Sequence, residues 1–148
     1  MKKIVFICRG NILRSPMARA IYNSMASDGS VAFSYGTNVE KQKHEGKTIL
    51  DCLDELGPGL MSVFITMEKH GMDIRGDICE QLEPEYLKDA FKIIVMTEKE
   101  DIPEWLHKYD YDYWKIPNPE IVTDEVAEQE FYLLKDKIDN LIVDLDFK

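Results

Sequence analysis

Apolar positions along this chain follow two periods. Ile4, Val5, Phe6 and Ile7 form a run from Lys3 to Cys8, apolar on nearly every residue, as in a strand covered on both faces. Met17, Ile21 and Met25 then recur at helical spacing. They predict a helix from Pro16 to about Ser27, with Ser15 as N-cap and Pro16 as first helical residue. Asp28-Gly29-Ser30 marks a turn, and Val31 to Tyr35 a second strand running into Gly36-Thr37. Ile49, Cys52, Leu53 and Leu56 predict a helix over 45–56, stopped by Gly57-Pro58-Gly59. A further helix runs from about Leu60 to His70, with Gly71 as its C-cap. Pro84 to Ala90 reads as a short helix and Phe91 to Met96 as a third strand. Lys99 to about Lys108 is helical, broken or kinked by Pro103. Tyr111 to Ile116 is a fourth, weaker strand, followed by a loop holding Pro117-Asn118-Pro119. From about Thr123, the positions Ala127, Phe131, Leu134, Ile138, Leu141 and Leu145 trace a long amphipathic final helix.

Strands alternating with helices give an α/β fold, a doubly wound three-layer α/β/α sandwich on a four-stranded parallel sheet. Ligands in such sheets bind at the carboxyl ends of the strands, near the point where the winding reverses. The loop after the first strand lies at that edge.

Composition narrows the picture. With 148 residues, one domain over 1–148 is expected, with length enough for a real core. No apolar run approaches the roughly 20 residues that cross a bilayer. Met1-Lys2-Lys3 runs straight into a strand rather than a leader, so the expected location is cytoplasmic. Cys8, Cys52 and Cys79 are odd in number and scattered, which fits a reducing compartment rather than a disulfide framework. The net charge of −10 argues against nucleic acid and anionic membrane as partners. An anionic ligand would then depend on positive charge concentrated at Arg9, Arg14 and Arg19, and a peptide with basic flanks would suit the remaining surface. His44, His70 and His107 are isolated, so neither a metal site nor a cofactor is expected.

The chemistry concentrates in Cys8-Arg9-Gly10-Asn11-Ile12-Leu13-Arg14-Ser15-Pro16. A strand, a loop and a helix start allow backbone N–H groups to converge on an oxyanion, with the helix N-terminus adding partial positive charge. Arg14 offers a planar fork matching two phosphate oxygens. The same positive field favours the anionic form of the Cys8 sulfur, the form that attacks.

This segment resembles the phosphate loop of the low-molecular-weight protein tyrosine phosphatases, whose fold and loop the thioredoxin-coupled arsenate reductases share. Ser34-Tyr35-Gly36-Thr37 looks like the family's Ser-Ala-Gly-Thr. His70-Gly71-Met72-Asp73-Ile74 resembles its Gly-Ile-Asp segment. Ile93-Ile94-Val95-Met96-Thr97 is similar to its third strand, and Ile116-Pro117-Asn118-Pro119 to its Asp-Pro loop. The resemblance implies that Cys8 attacks phosphorus and forms a phosphocysteine. It implies that Arg14 binds the equatorial oxygens, that Gly10 and Asn11 hold the loop, and that Ser15 donates a hydrogen bond to the Cys8 sulfur. Arg9, Ile12 and Leu13 complete the phosphate-binding segment from Arg9 to Arg14. The implied activity is phosphomonoester hydrolysis without cofactor. Its partners would be a phosphorylated protein or small aryl phosphate, and inorganic phosphate or a similar oxyanion.

Three departures qualify that implication. Asn118 stands where the family has its acidic aspartate, and an amide cannot donate a proton to the leaving oxygen. Turnover would be slow, least so on aryl phosphates, unless Glu120 or Asp124 substitutes. Glu120-Ile121 replaces the aromatic pair that usually follows the Asp-Pro, so phosphotyrosine preference is not implied by that position. Leu13 stands where many members carry a second loop cysteine, and Glu98-Lys99 where arsenate reductases carry further ones. An arsenate reductase-like oxyanion redox enzyme and a catalytically weakened phosphate-binding module are the alternatives.

Overall fold

Four side chains of β1 (Lys3–Cys8), from Ile4 to Ile7, have no solvent exposure, and this strand lies inside the sheet. β2 (Val31–Gly36) and β3 (Ala90–Val95) flank it, and the two-residue β4 (Asp112–Tyr113) lies beyond β3. All pairings are parallel, in the order β2-β1-β3-β4. The expected parallel α/β architecture is therefore present. The computed structural model describes residues 2–146, without the side chain of Asp54. Met1, Phe147 and Lys148 of the expected domain lie outside the described residues. Among the described residues no helix is long and apolar enough to cross a membrane.

The pleat of β1 divides the core in two. Ile4, Phe6 and Cys8 face α1 (Arg14–Met25), α3 (Pro58–Lys69) and α4 (Asp124–Asp146). Val5 and Ile7 face Tyr35, Leu82, Leu87 and Leu106. That second face is covered by short 3₁₀ helices, Pro84–Leu87 and Glu104–Lys108, instead of long α-helices. Burying one large apolar side chain contributes about 1.5–3 kcal/mol. The row from Ile4 to Ile7 thus anchors the strand whose end carries Cys8.

Four predicted elements differ, each for a backbone reason. α1 begins at Arg14 and is capped by Leu13, so Ser15 is not the N-cap. Ser15 and Pro16 occupy the first turn, where a missing proline N–H leaves no hydrogen bond unmade. The helix expected over 45–56 shrinks to a 3₁₀ turn, Leu50–Cys52, and α2 (Leu53–Leu56). The Ile49 and Leu50 N–H groups donate instead to Asp77 and Arg75 carbonyls, 2.9 and 3.0 Å away. The helix expected over 99–108 splits into two 3₁₀ turns, Lys99–Asp101 and Glu104–Lys108, with Pro103 between them. The fourth strand stops at Tyr113, because Trp114 packs against Phe6 at 5.9 Å and two prolines follow.

Glu130 interrupts the buried stripe of α4 and is only 5% exposed. Burial pushes its carboxyl from 4.5 up to about 7, against the partial compensation of Arg14 nearby. The folded chain therefore holds a proton that the unfolded chain releases between about pH 4.5 and 7. Stability is fully present below that window, is lost as pH rises through it, and the loss plateaus at about 3 kcal/mol above it. Glu130→Gln is expected to gain about 2–3 kcal/mol over the parent at pH 8 relative to its advantage at pH 5, read by urea unfolding. An equal difference at both pH values would show that Glu130 ionises freely in the folded chain.

Candidate active site

Cys8 ends β1 in register with Gly36, at the carboxyl edge of the sheet. The chain then makes the loop Arg9–Leu13 and enters α1 at Arg14. Asn11 turns the loop with φ of 55°, the left-handed region that few non-glycine residues adopt. Neighbouring backbone holds this strained turn: the Thr37 and Asn38 N–H groups donate to the Cys8 and Arg9 carbonyls at 2.9 and 2.8 Å. Gly36 is what permits this approach. A Cβ there would lie 2.8 Å from Arg9 O and 2.9 Å from Asn11 N.

Behind the loop, Ser15 links three polar groups. Its Oγ lies 2.9 Å from Cys8 Sγ and donates to Asn11 Oδ1 at 2.8 Å, while Asn11 Nδ2 reaches Ile78 O at 3.5 Å. A hydroxyl has one proton. While Ser15 gives it to Asn11, the Cys8 thiol can donate to Ser15. Once the sulfur is an anion, the same hydroxyl can turn and donate to it. The expected Ser15–Cys8 contact is thus present, with Asn11 as the alternative acceptor.

Arg14 is 3% exposed, yet it borders the cavity in front of the loop. Its Nη1 donates to Met96 O at 2.6 Å and reaches Ile116 O at 3.4 Å. Its Nη2 donates to Glu98 Oε1 at 2.8 Å. Burial alone would lower the Arg14 pKa, but Cys8, Glu98 and Glu130 together raise it, so the guanidinium stays charged. Burial likewise pushes the Glu98 carboxyl up, and the Arg14 bond outweighs it and holds it below the usual range. Arg9 stands further out, its Nε 3.3 Å from Asp101 Oδ2 as a charge contact without hydrogen-bond alignment. Arg19 is placed elsewhere and pairs with Asp77 at 3.4 Å.

A cavity of about 430 Å³ opens above the loop. Of the residues picked out from the sequence, Cys8, Arg9, Gly10, Ile12, Leu13 and Arg14 border it on one side. Asn118 and Glu120 border it on the other, whereas Asp124 lies exposed at the start of α4 and does not. Asn11 and Ser15 sit behind the loop, buried. The remaining wall is aliphatic, from Leu56, Leu60, Val63, Ile121 and Val122. The aromatics of 105–114 are not part of it: Trp114 packs in the core, and Trp105, Tyr109, Tyr111 and Tyr113 pack on the opposite face of the sheet. The loop from Gly36 to His44 contributes Gln42, whose Oε1 lies 2.6 Å from where a Gly10 Cβ would be.

Glu98 and Gln42 were not singled out from the sequence as site residues. Glu98 had a signal in its place just past β3, at the ligand-binding edge. Gln42 had none, since its position depends on how the loop after β2 folds back.

Such a cradle can bind a tetrahedral oxyanion and present sulfur to it. The family model described as low molecular weight phosphotyrosine protein phosphatase matches residues 3–146. A glutaredoxin arsenate reductase from Synechocystis sp. (strain ATCC 27184 / PCC 6803 / Kazusa) is 23% identical over 145 residues, covering 96% of this chain and 97% of its own. Solved structures share the fold, among them the following two. A YwlE mutant from Bacillus subtilis gives a TM-score of 0.74 at 21% identity, over 99% of each chain. Wzb from Vibrio vulnificus, in complex with benzylphosphonate, gives 0.71 at 20% identity, over 97% of this chain and 98% of that one. The chain belongs to the low molecular weight phosphotyrosine protein phosphatase family.

Proposed function

We propose that this protein hydrolyses phosphomonoesters through a phosphocysteine on Cys8. The observation that carries the reading is one arrangement. Cys8 Sγ lies 2.9 Å from Ser15 Oγ, at the floor of a cavity that the charged Arg14 also borders. Phosphoryl transfer needs little more than positioning and charge stabilisation, and this loop supplies both. The substrate's phosphate would enter between Cys8 and Arg14, contacting the loop from Arg9 to Arg14. Its organic part would lie against Leu56, Leu60, Ile121 and Val122. That wall suits a small aryl phosphate or the phosphorylated side chain of a protein. Benzylphosphonate, bound by the Vibrio vulnificus relative, has this combination of groups.

Arsenate reduction starts from the same nucleophile and is the second reading, favoured by the Synechocystis relative. It then needs a thiol to carry the oxidation away from Cys8. Cys52 and Cys79 have no solvent exposure, and burial raises both thiols, that of Cys79 to about 12. A neutral, enclosed thiol is a poor relay. Hydrolysis needs only water at that step.

Two assays on the purified protein separate the readings. One follows 4-nitrophenyl phosphate hydrolysis, with acid quenching to trap phosphate on Cys8 for mass spectrometry. The other follows arsenate-dependent thiol consumption with glutathione and glutaredoxin, or with thioredoxin. Hydrolysis with a phosphorylated Cys8 is expected. Thiol consumption at a rate exceeding any hydrolysis would overturn the assignment in favour of the redox enzyme. Phosphate binding with neither activity would make the chain a binding module.

A further inference from the structure

Cleaving a phosphomonoester leaves an oxygen that needs a proton, and the residue facing it at position 118 is an amide. Other carboxylates close to the site are engaged or turned away. Glu98 is bonded to Arg14 at 2.8 Å, Asp101 contacts Arg9 and accepts from Asn38, and Glu130 lies buried behind Arg14. Glu55 faces His44 and Lys47. Among the described residues bordering the cavity, Glu120 alone carries a carboxyl. It is exposed, and no ion pair engages it among the described residues.

The segment that bears Glu120 is held at both ends. Upstream, Arg14 Nη1 reaches Ile116 O, so the residue that borders the phosphate cradle also tethers this loop. Downstream, Val122 rests on the bare Cα of Gly59 near the start of α3. A Cβ on Gly59 would lie 3.0 Å from Val122 Cβ and 3.2 Å from its carbonyl oxygen. Pro119 fixes one dihedral between the two tethers. Glu120 is therefore presented to the cavity by a short, pinned strap.

We propose that Glu120 is the general acid and base of this protein, taking the part that Asn118 cannot perform. The inference rests on the phosphatase reading. In the first step Cys8 Sγ bonds to phosphorus, the ester P–O bond breaks, and the Glu120 proton passes to the leaving oxygen. In the second step the Glu120 carboxylate takes a proton from water as its oxygen bonds to phosphorus, and the S–P bond breaks to return the Cys8 anion. The sum is ester plus water giving alcohol plus inorganic phosphate.

The test is the dependence of rate on the leaving group, measured with a series from 4-nitrophenyl to phenyl to alkyl phosphates. Glu120→Gln is expected to lower kcat/KM for the phenyl and alkyl esters by about 10²-fold or more, and that for 4-nitrophenyl phosphate far less. The alkaline limb of the kcat/KM profile, which reports a protonated general acid, should change with it. Asn118→Asp placed in the Glu120→Gln protein should restore the alkyl esters, which a merely misfolded variant could not show. A Glu120→Gln protein with the parent's leaving-group dependence overturns the proposal while leaving hydrolysis by Cys8 intact. So does the same change in slope appearing in Asp124→Asn instead. Failure of the phosphatase reading would look different, because the unaltered protein would not form phosphate on Cys8.

Discussion

Cys8→Ser is expected to abolish phosphomonoester turnover, by about 10⁵-fold or more, the scale of losing an enzyme's nucleophile. A serine hydroxyl attacks only if a base removes its proton, and no histidine is among the described residues that border the cavity. Ser15 cannot serve as that base, since its own proton is shared between Asn11 and position 8. The fold should tolerate the change. Cys8 is 2% exposed, and a hydroxyl there meets Ser15 Oγ as a ready partner in place of sulfur. On the phosphatase reading, backbone and Arg14 would hold the phosphate, so the variant should bind inorganic phosphate at least as well as the parent. Isothermal titration with phosphate alongside 4-nitrophenyl phosphate kinetics reads both halves. Residual turnover within tenfold of the parent would remove Cys8 from the mechanism. Loss of phosphate binding together with turnover would mean that Cys8 shapes the loop rather than attacks.

The loop was legible in the sequence because its parts are local. A strand end, five residues and a helix start bring Cys8 and Arg14 to one edge whatever the rest of the chain does. What surrounds the loop was not. Arg14 meets Glu98 across 84 positions, a contact set by the pairing of β1 with β3. Glu130 did carry a signal, as a carboxylate three residues past Ala127 in a run whose other members are apolar. The periodicity of α4 was still readable because its remaining buried positions keep the stripe. Ser15 shows how a local rule can lose. Its residue type suits an N-cap, but a buried sulfur and amide compete for the same hydroxyl, and the helix starts two residues earlier. Residues 45–50 lost their helix to another segment, the Gly46, Ile49 and Leu50 N–H groups being drawn across to the Cys79, Asp77 and Arg75 carbonyls. The prolines beside Asn118 and Glu120 mark both as loop residues. Which carboxylate reaches the cavity depended on Gly59, a residue the sequence marked only as a helix stop.

Arg14→Lys should lower kcat/KM by about 10³-fold, within the range for losing a charged stabiliser of a transferring phosphoryl group. Charge alone does not suffice at this position. The guanidinium holds Met96 O at 2.6 Å with one nitrogen and Glu98 at 2.8 Å with another, while still bordering the cavity. A planar fork can make these bonds together and keep an N–H edge for phosphate oxygens; an ammonium with three donors on a flexible stem cannot. Lysine would satisfy Glu98 or the phosphate, but not both. The tether to Ile116 O would go as well, loosening the strap that carries Asn118 and Glu120. The loss should therefore appear in phosphate affinity and in kcat. The leaving-group dependence should steepen as it does for Glu120→Gln. A variant with reduced kcat and unchanged phosphate affinity would place Arg14 outside the phosphate shell, as a brace for the loop alone. Arg14→Lys with full activity would show that a point charge at this depth is enough, and that the pairing with Glu98 serves the fold and not the reaction.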